Sequence, residues 1–256
     1  MCLIFVSQNN HPNYKLIVAA NRDEFYARET APAEFWPDYP HLLGGRDLEA
    51  GGTWMGMARN GKIAMITNYR DLKNILPSAP SRGHLVSEFL IGNVSAEAHL
   101  KEIENSGKRY NGFSLLAGSV DVLWYYSNYG NGVKRLNQGF FGLSNHLLDT
   151  PWPKVVRGKE RLKPLLQKPV IDPDELFEFL YDEKIATDDK LPDTGIGLER
   201  ERALSSMFIK TPNYGSRCST VVMVDKKNHV TFTERVYDLK TFEYTTGRFE
   251  FNIDEA

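Results

Sequence analysis

Short apolar runs separated by polar turns dominate both ends of the chain, and helical spacing is confined to the middle. Residues 3–7 and 15–20 are apolar runs of strand length joined by Asn9-Asn10-His11-Pro12-Asn13, which predicts an N-terminal hairpin. Residues 53–58 and 62–67 flank Arg59-Asn60-Gly61, and an Asn-Gly step between two such runs is the strongest short hairpin signal. Further strands are predicted over 113–117, 122–126 and 140–143. Ser95 is placed to cap a helix over 96–104, where Leu100 and Ile103 share a face. Asp172-Pro173-Asp174-Glu175 supplies a cap, a proline at the first helical position and a glutamate three residues after the cap. It opens a helix through Leu176, Phe177, Phe179 and Leu180. Residues 182–211 are polar and weakly patterned, and read as a long loop with one helical turn. Strands return over 220–224 and 230–236 around a turn at 225–228, with a last one near 248–253. No linker rich in Pro, Gly or Ser divides the chain. The expectation is an α+β fold, two sheets with helices packed outside, as a single domain over 1–256.

Composition narrows the function classes. Of the 256 residues, 41% are hydrophobic and 25% charged, enough for a core that needs no staples. A net charge of −2 with mixed signs gives no field for nucleic acid. No window approaches the run of about 18 apolar residues that a membrane span needs, and the first apolar run is too short for a signal peptide. A cytoplasmic protein without integral membrane association is therefore expected. Cys2 and Cys218 are too few for a disulfide framework or a structural zinc site. There is no His pair at metal spacing, no P-loop and no G-x-S-x-G, so no metal or cofactor is required.

The candidate chemistry starts at Cys2. Removal of Met1 would put a thiol and an α-amine on one residue, and an amine titrating at about 7.7–8.0 can take the thiol proton near neutrality. Equally, a cysteine opening an apolar strand is commonly a small buried hydrophobe. The run 16–20 leads directly into Asn21-Arg22-Asp23-Glu24, which a hairpin returns to the chain start. There Arg22 would lower the Cys2 thiol, and Asp23 would accept from the α-ammonium or orient a substrate amine. The alternative is a hairpin end fixed by an Arg–carboxylate pair. Gly51-Gly52-Thr53-Trp54 suits either close backbone approach to a ligand or a bulge. Asn68-Tyr69-Arg70 and Ser81-Arg82-Gly83 carry side chains that bind anions. Gly142-Leu143-Ser144-Asn145-His146 ends a strand with an amide and an imidazole, and Asn145 reads as an oxyanion donor or an ordinary turn residue. Ser216-Arg217-Cys218-Ser219-Thr220 begins a strand that can aim Arg217 at the same pocket.

Together with Thr67-Asn68-Tyr69, Asn111-Gly112-Phe113, Pro151-Trp152 and Thr231-Phe232-Thr233-Glu234-Arg235, these motifs resemble the NRDE family, also called TANGO2 for transport and Golgi organisation. The resemblance runs from Cys2 to about Arg235. It implies a four-layer αββα sandwich like that of N-terminal nucleophile (Ntn) hydrolases. It further implies hydrolysis of a non-peptide amide C–N bond, with Cys2, Arg22, Asp23, Asn145 and Arg217 as the catalytic set. A small-molecule ligand would meet Asn21, Glu24, Trp54, Asn68, Tyr69, Arg70 and His146. The alternative implied by the family is a non-catalytic carrier of haem or of an acyl-lipid or acyl-CoA. In that case His146 or Cys2 would be the axial ligand, and Trp54, Tyr69 and Tyr214 would pack a flat hydrophobic molecule.

Overall fold

The computed structural model describes residues 2–254; Met1, whose removal the sequence predicts, lies outside the described residues. In chain order the strands are β1 (Cys2–Gln8), β2 (Tyr14–Phe25), β3 (Thr30–Trp36), β4 (Tyr39–Asp47), β5 (Met55–Ala58) and β6 (Lys62–Asn68). Helices α1 (Gly83–Ile91) and α2 (Ala96–Ser106) follow. Next come β7 (Phe113–Ser119), β8 (Leu123–Ser127), β9 (Lys134–Leu136) and β10 (Gly139–Leu143). The chain ends with α3 (Pro153–Leu165), α4 (Pro173–Leu180), α5 (Leu198–Ala203), β11 (Tyr214–Asp225), β12 (His229–Tyr237) and β13 (Tyr244–Asn252). Two antiparallel sheets result, one in the order β10-β1-β2-β11-β12-β13 and the other running β3 to β9 consecutively.

Strand alternation builds the layers. Ile4, Val6, Val18, Val222 and Phe232 face inward, where they meet Leu43, Met57, Met65 and Leu115 of the second sheet. Leu3, Phe5, Ile17, Ala19 and Val221 face outward and are covered by Val155 and Leu162 of α3 and by Leu176, Phe177 and Phe179 of α4. Helices α1 and α2 cover the other sheet with Leu85, Phe89, Leu100 and Ile103. The expected αββα sandwich is present. Every residue of β1 is buried because both its faces are covered, which explains a continuous apolar run in place of alternation. At Gly158 a Cβ would lie 2.0 Å from Phe5 Cζ, so only glycine lets α3 rest on that ring.

The two predicted hairpins form, with Gly61 at φ +83° in the Asn-Gly turn. Both predicted caps hold: Ser95 Oγ accepts from Ala98 N at 3.2 Å, and Asp172 Oδ1 from Asp174 N at 2.9 Å. One boundary differs in a way that matters. The sequence predicts that the strand ends at residue 20, before the polar tetrad, but β2 continues to Phe25. Asn21 and Arg22 are paired by β1 on one side and β11 on the other, and Asp23 and Glu24 by β11, so ladder hydrogen bonds outweigh their low strand propensity. The hairpin β3–β4 and helices α1 and α3 are absent from the sequence reading, and 182–211 contains α5. No helix of the described residues is long and apolar enough to cross a membrane.

Candidate active site

Cys2 pairs with Arg22 in the β1–β2 ladder, and Cys218 pairs with Arg22 from the other side. All three therefore project from one face, toward the second sheet. Cys2 lies on the wall of a polar cavity of about 440 Å³. Arg22, Glu24, Thr30, Trp54, Asn68 and Arg82 share that wall. Arg22 Nη1 donates to Thr30 Oγ1 at 2.8 Å, which holds the guanidinium across the gap between the sheets. Burial pushes the Cys2 thiol above its ordinary value; Asp23 adds to that rise, while Arg22 opposes it. The expected net lowering by Arg22 is thus overridden by desolvation of a residue only 6% exposed. Glu24 behaves oppositely. Burial raises its carboxyl, but the Phe25 N–H donated to Oε1 at 2.9 Å and the charges of Arg22 and Arg28 hold it below the ordinary carboxylate range.

A second cavity, about 520 Å³ and mostly apolar, shares Glu24, Phe25, Asn68, Arg82 and Asn111 with the first. Its walls include Tyr69, Leu72, Ile75, Leu204 and Tyr214. The cleft is thus two-chambered: charged at Cys2, hydrophobic beyond Asn68 and Arg82. Arg82 donates from Nη1 to Gly112 O at 2.9 Å, which seats it at the junction.

The remaining expected residues separate into those that line the cleft and those that do not. Trp54 and Asn68 line the polar chamber, and Tyr69 and Arg70 the apolar one. Arg70 is anchored by a 2.7 Å ion pair to Glu201, both side chains buried. Asp23 points to the helix side of its sheet, because adjacent strand residues face opposite ways. Its Oδ1 accepts from Ser216 Oγ at 2.6 Å, and it is fully buried. Asn21 also faces the helices, donating to Leu180 O at 3.0 Å and Met207 O at 2.9 Å, so its amide ties chain segments together and does not face the cleft. Asn145 is fully buried and donates to Asn68 O at 3.1 Å, behind the cavity wall. His146 is engaged at both nitrogens, with Tyr69 Oη at 2.7 Å and Thr150 Oγ1 at 2.8 Å, and lines neither chamber. Arg217 donates to the carbonyls of Phe25, Tyr26 and Arg28, and so fastens the loop after β2 beside the polar chamber.

Sequence reasoning marked Arg82 as an anion-binding loop residue without bringing it to Cys2. It missed Phe25, Leu72 and Ile75 altogether. These apolar residues sit in polar surroundings and are half exposed or more, a signal available in the sequence as hydrophobes where a loop needs none.

Residues 1–239 match the sequence model of the family described as Transport and Golgi organisation 2. The chain is 37% identical to the Transport and Golgi organization 2 homolog of Mus musculus, over 99% of both chains. It is likewise 37% identical to the Homo sapiens homolog, again over 99% of both. Among solved structures, the C2A mutant of conjugated bile acid hydrolase from Clostridium perfringens superimposes with a TM-score of 0.51. Identity there is 10%, across 100% of this chain and 99% of that one, a likeness of fold: the sandwich is of the Ntn hydrolase type.

Proposed function

This chain belongs to the Transport and Golgi organisation 2 family, and we propose that it hydrolyses a non-peptide amide C–N bond with Cys2 as an N-terminal nucleophile. The observation that carries this function is the position of Cys2: first residue of β1, on the wall of the polar chamber, opposite Arg22 in register. Burial keeps the thiol protonated at rest, so the proton has to leave during attack. Once Met1 is removed, the Cys2 α-amine is the base within reach. Sγ attacks the amide carbonyl, the amine takes the thiol proton, and the C–N bond breaks as that proton passes to the leaving nitrogen. Water then hydrolyses the thioester and returns the free thiol. Asn68 and Arg82 are the donors best placed for the carbonyl oxygen, with Asn145 holding Asn68 from behind. In this scheme Asp23 orients the amine, and Arg217 fixes the loop that carries Arg28.

Removal of Met1 and acylation are read together by intact mass after treatment with an acyl electrophile. Expected is a single acyl adduct on a chain lacking Met1, lost in Cys2→Ala. Retention of Met1 in most molecules eliminates the amine-as-base scheme.

The apolar chamber favours a second reading, a binding protein for an amphiphile such as an acyl-lipid, acyl-CoA or haem. His146 does not fit an axial role for haem, since both nitrogens are engaged outside the cleft. Cys2 is the soft ligand at the cavity. Ligand binding that survives Cys2→Ala, with no acyl adduct in wild type, supports carriage over hydrolysis.

A further inference from the structure

Helix α3 opens with Pro153 and Lys154, on the side of the first sheet to which Asp23 points. Lys154 is 2% exposed, and its Nζ has no hydrogen-bond partner among the described residues. A cation in the first turn of a helix opposes the helix dipole, and a buried ammonium without an acceptor is costly. Stability alone would not place a lysine there. The charged groups facing it are Asp23 from β2, Arg70 from the segment after β6, Glu201 from α5 and Cys2 from β1. Arg70 and Glu201 are paired with each other at 2.7 Å, and Lys154 and Asp23 lie in each other's field. Burial brings Lys154 down to about 8 and Asp23 opposes that fall; conversely, burial raises Asp23 and Lys154 opposes that rise.

We propose that Lys154 is a positioning residue for Cys2: its ammonium offsets the Asp23 carboxylate, so that the Cys2 amine remains an uncharged base. This role rests on the N-terminal nucleophile function proposed above. An uncompensated carboxylate beside an amine favours the ammonium, which cannot accept the thiol proton. A lysine cation behind that carboxylate cancels the bias and also favours the thiolate. Removing the cation raises the titration of amine and thiol alike, so both effects have one sign.

The test is the pH dependence of Cys2 alkylation by iodoacetamide between pH 5.5 and 9.5, on protein lacking Met1, in wild type, Lys154→Met, Lys154→Gln, Lys154→Arg and Asp23→Asn. Methionine keeps the length of the stem and removes an unpaired charge, and glutamine is a second neutral variant. Alkylation at pH 7, where Lys154 is charged, is expected to slow by about 3- to 10-fold in both neutral variants, with the profiles converging on wild type above about pH 8, where Lys154 is itself neutral. Lys154→Arg is expected to keep the wild-type rate at pH 7, and Asp23→Asn to raise it. A neutral variant whose profile superimposes on wild type, while Asp23→Asn still shifts, overturns the role of Lys154 and leaves the nucleophile standing. A Cys2 that resists alkylation in all five proteins, or an Asp23→Asn profile without shift, overturns the nucleophile and the role of Lys154 with it.

Discussion

Replacing Lys154 by methionine is expected to stabilise the fold, and by an amount that depends on pH. In the unfolded chain lysine titrates near its ordinary value of 10.5, whereas in the fold burial brings it to about 8. Between those values the unfolded state binds more protons than the folded one, so stability rises with pH across the window. The penalty for charging Lys154 is therefore fully present below pH 8 and is lost toward pH 10.5. The difference between those two values, at about 1.36 kcal/mol per pH unit, gives a penalty of about 3 kcal/mol at pH 7. At pH 9.5, where most of the folded-state lysine is already neutral, about 1 kcal/mol remains. Methionine carries no such penalty, so its advantage over wild type should shrink by about 2 kcal/mol between pH 7 and pH 9.5. Urea unfolding of both proteins at several pH values measures the difference, and groups common to both cancel. An advantage that stays flat with pH, or a methionine variant less stable than wild type at pH 7, would refute the reasoning. Either result would mean that Lys154 makes a strong native-state pairing.

Three other outcomes are expected. Cys2 should react with iodoacetamide faster than Cys218: Cys2 lines a cavity of about 440 Å³ and Cys218 one of about 40 Å³, and burial together with Glu234 pushes the Cys218 thiol well above its ordinary value. Peptide mapping gives the two rates, and equal or reversed rates contradict an accessible nucleophile. Arg22→Ala should move the Cys2 alkylation profile to higher pH, because a cation that favours the thiolate is gone, and should lower stability by about 1 kcal/mol through the part-buried bond to Thr30. Superimposable profiles would show that Arg22 only bridges the sheets. Glu234→Ala should cost about 1–3 kcal/mol in urea unfolding, since the Ala33 N–H donated to Oε2 at 2.7 Å loses its acceptor between the sheets. Glu234→Gln, which keeps a carbonyl there, should recover most of that loss.

Much of the sandwich could be read from neighbours along the chain. A hairpin needs a turn residue and two alternating flanks, and a helix start needs a cap two or three positions from the group it binds. The Asn60-Gly61 turn, the Ser95 and Asp172 caps and the hairpin returning Arg22 to Cys2 all depend on contacts of that range, and all are present. The hairpin β3–β4 and helix α3 escaped because their local patterns are broken. Strand β3 alternates poorly and pairs through irregular register, and α3 carries polar residues through an apolar face. The site was decided at longer range. Arg22 and Asp23 are neighbours in sequence, but a continuing strand sends one toward Cys2 and the other toward α3. Asn145 and His146 were chemically suitable, yet Asn68, Tyr69 and Thr150 claim their polar atoms. Arg82 reaches Cys2 across 80 positions of chain, and Lys154 comes under the field of Asp23 across more than 100. Residue type states what a side chain can do; which partners reach it first, and whether water is excluded there, follow from how the two sheets and their covering helices close on one another.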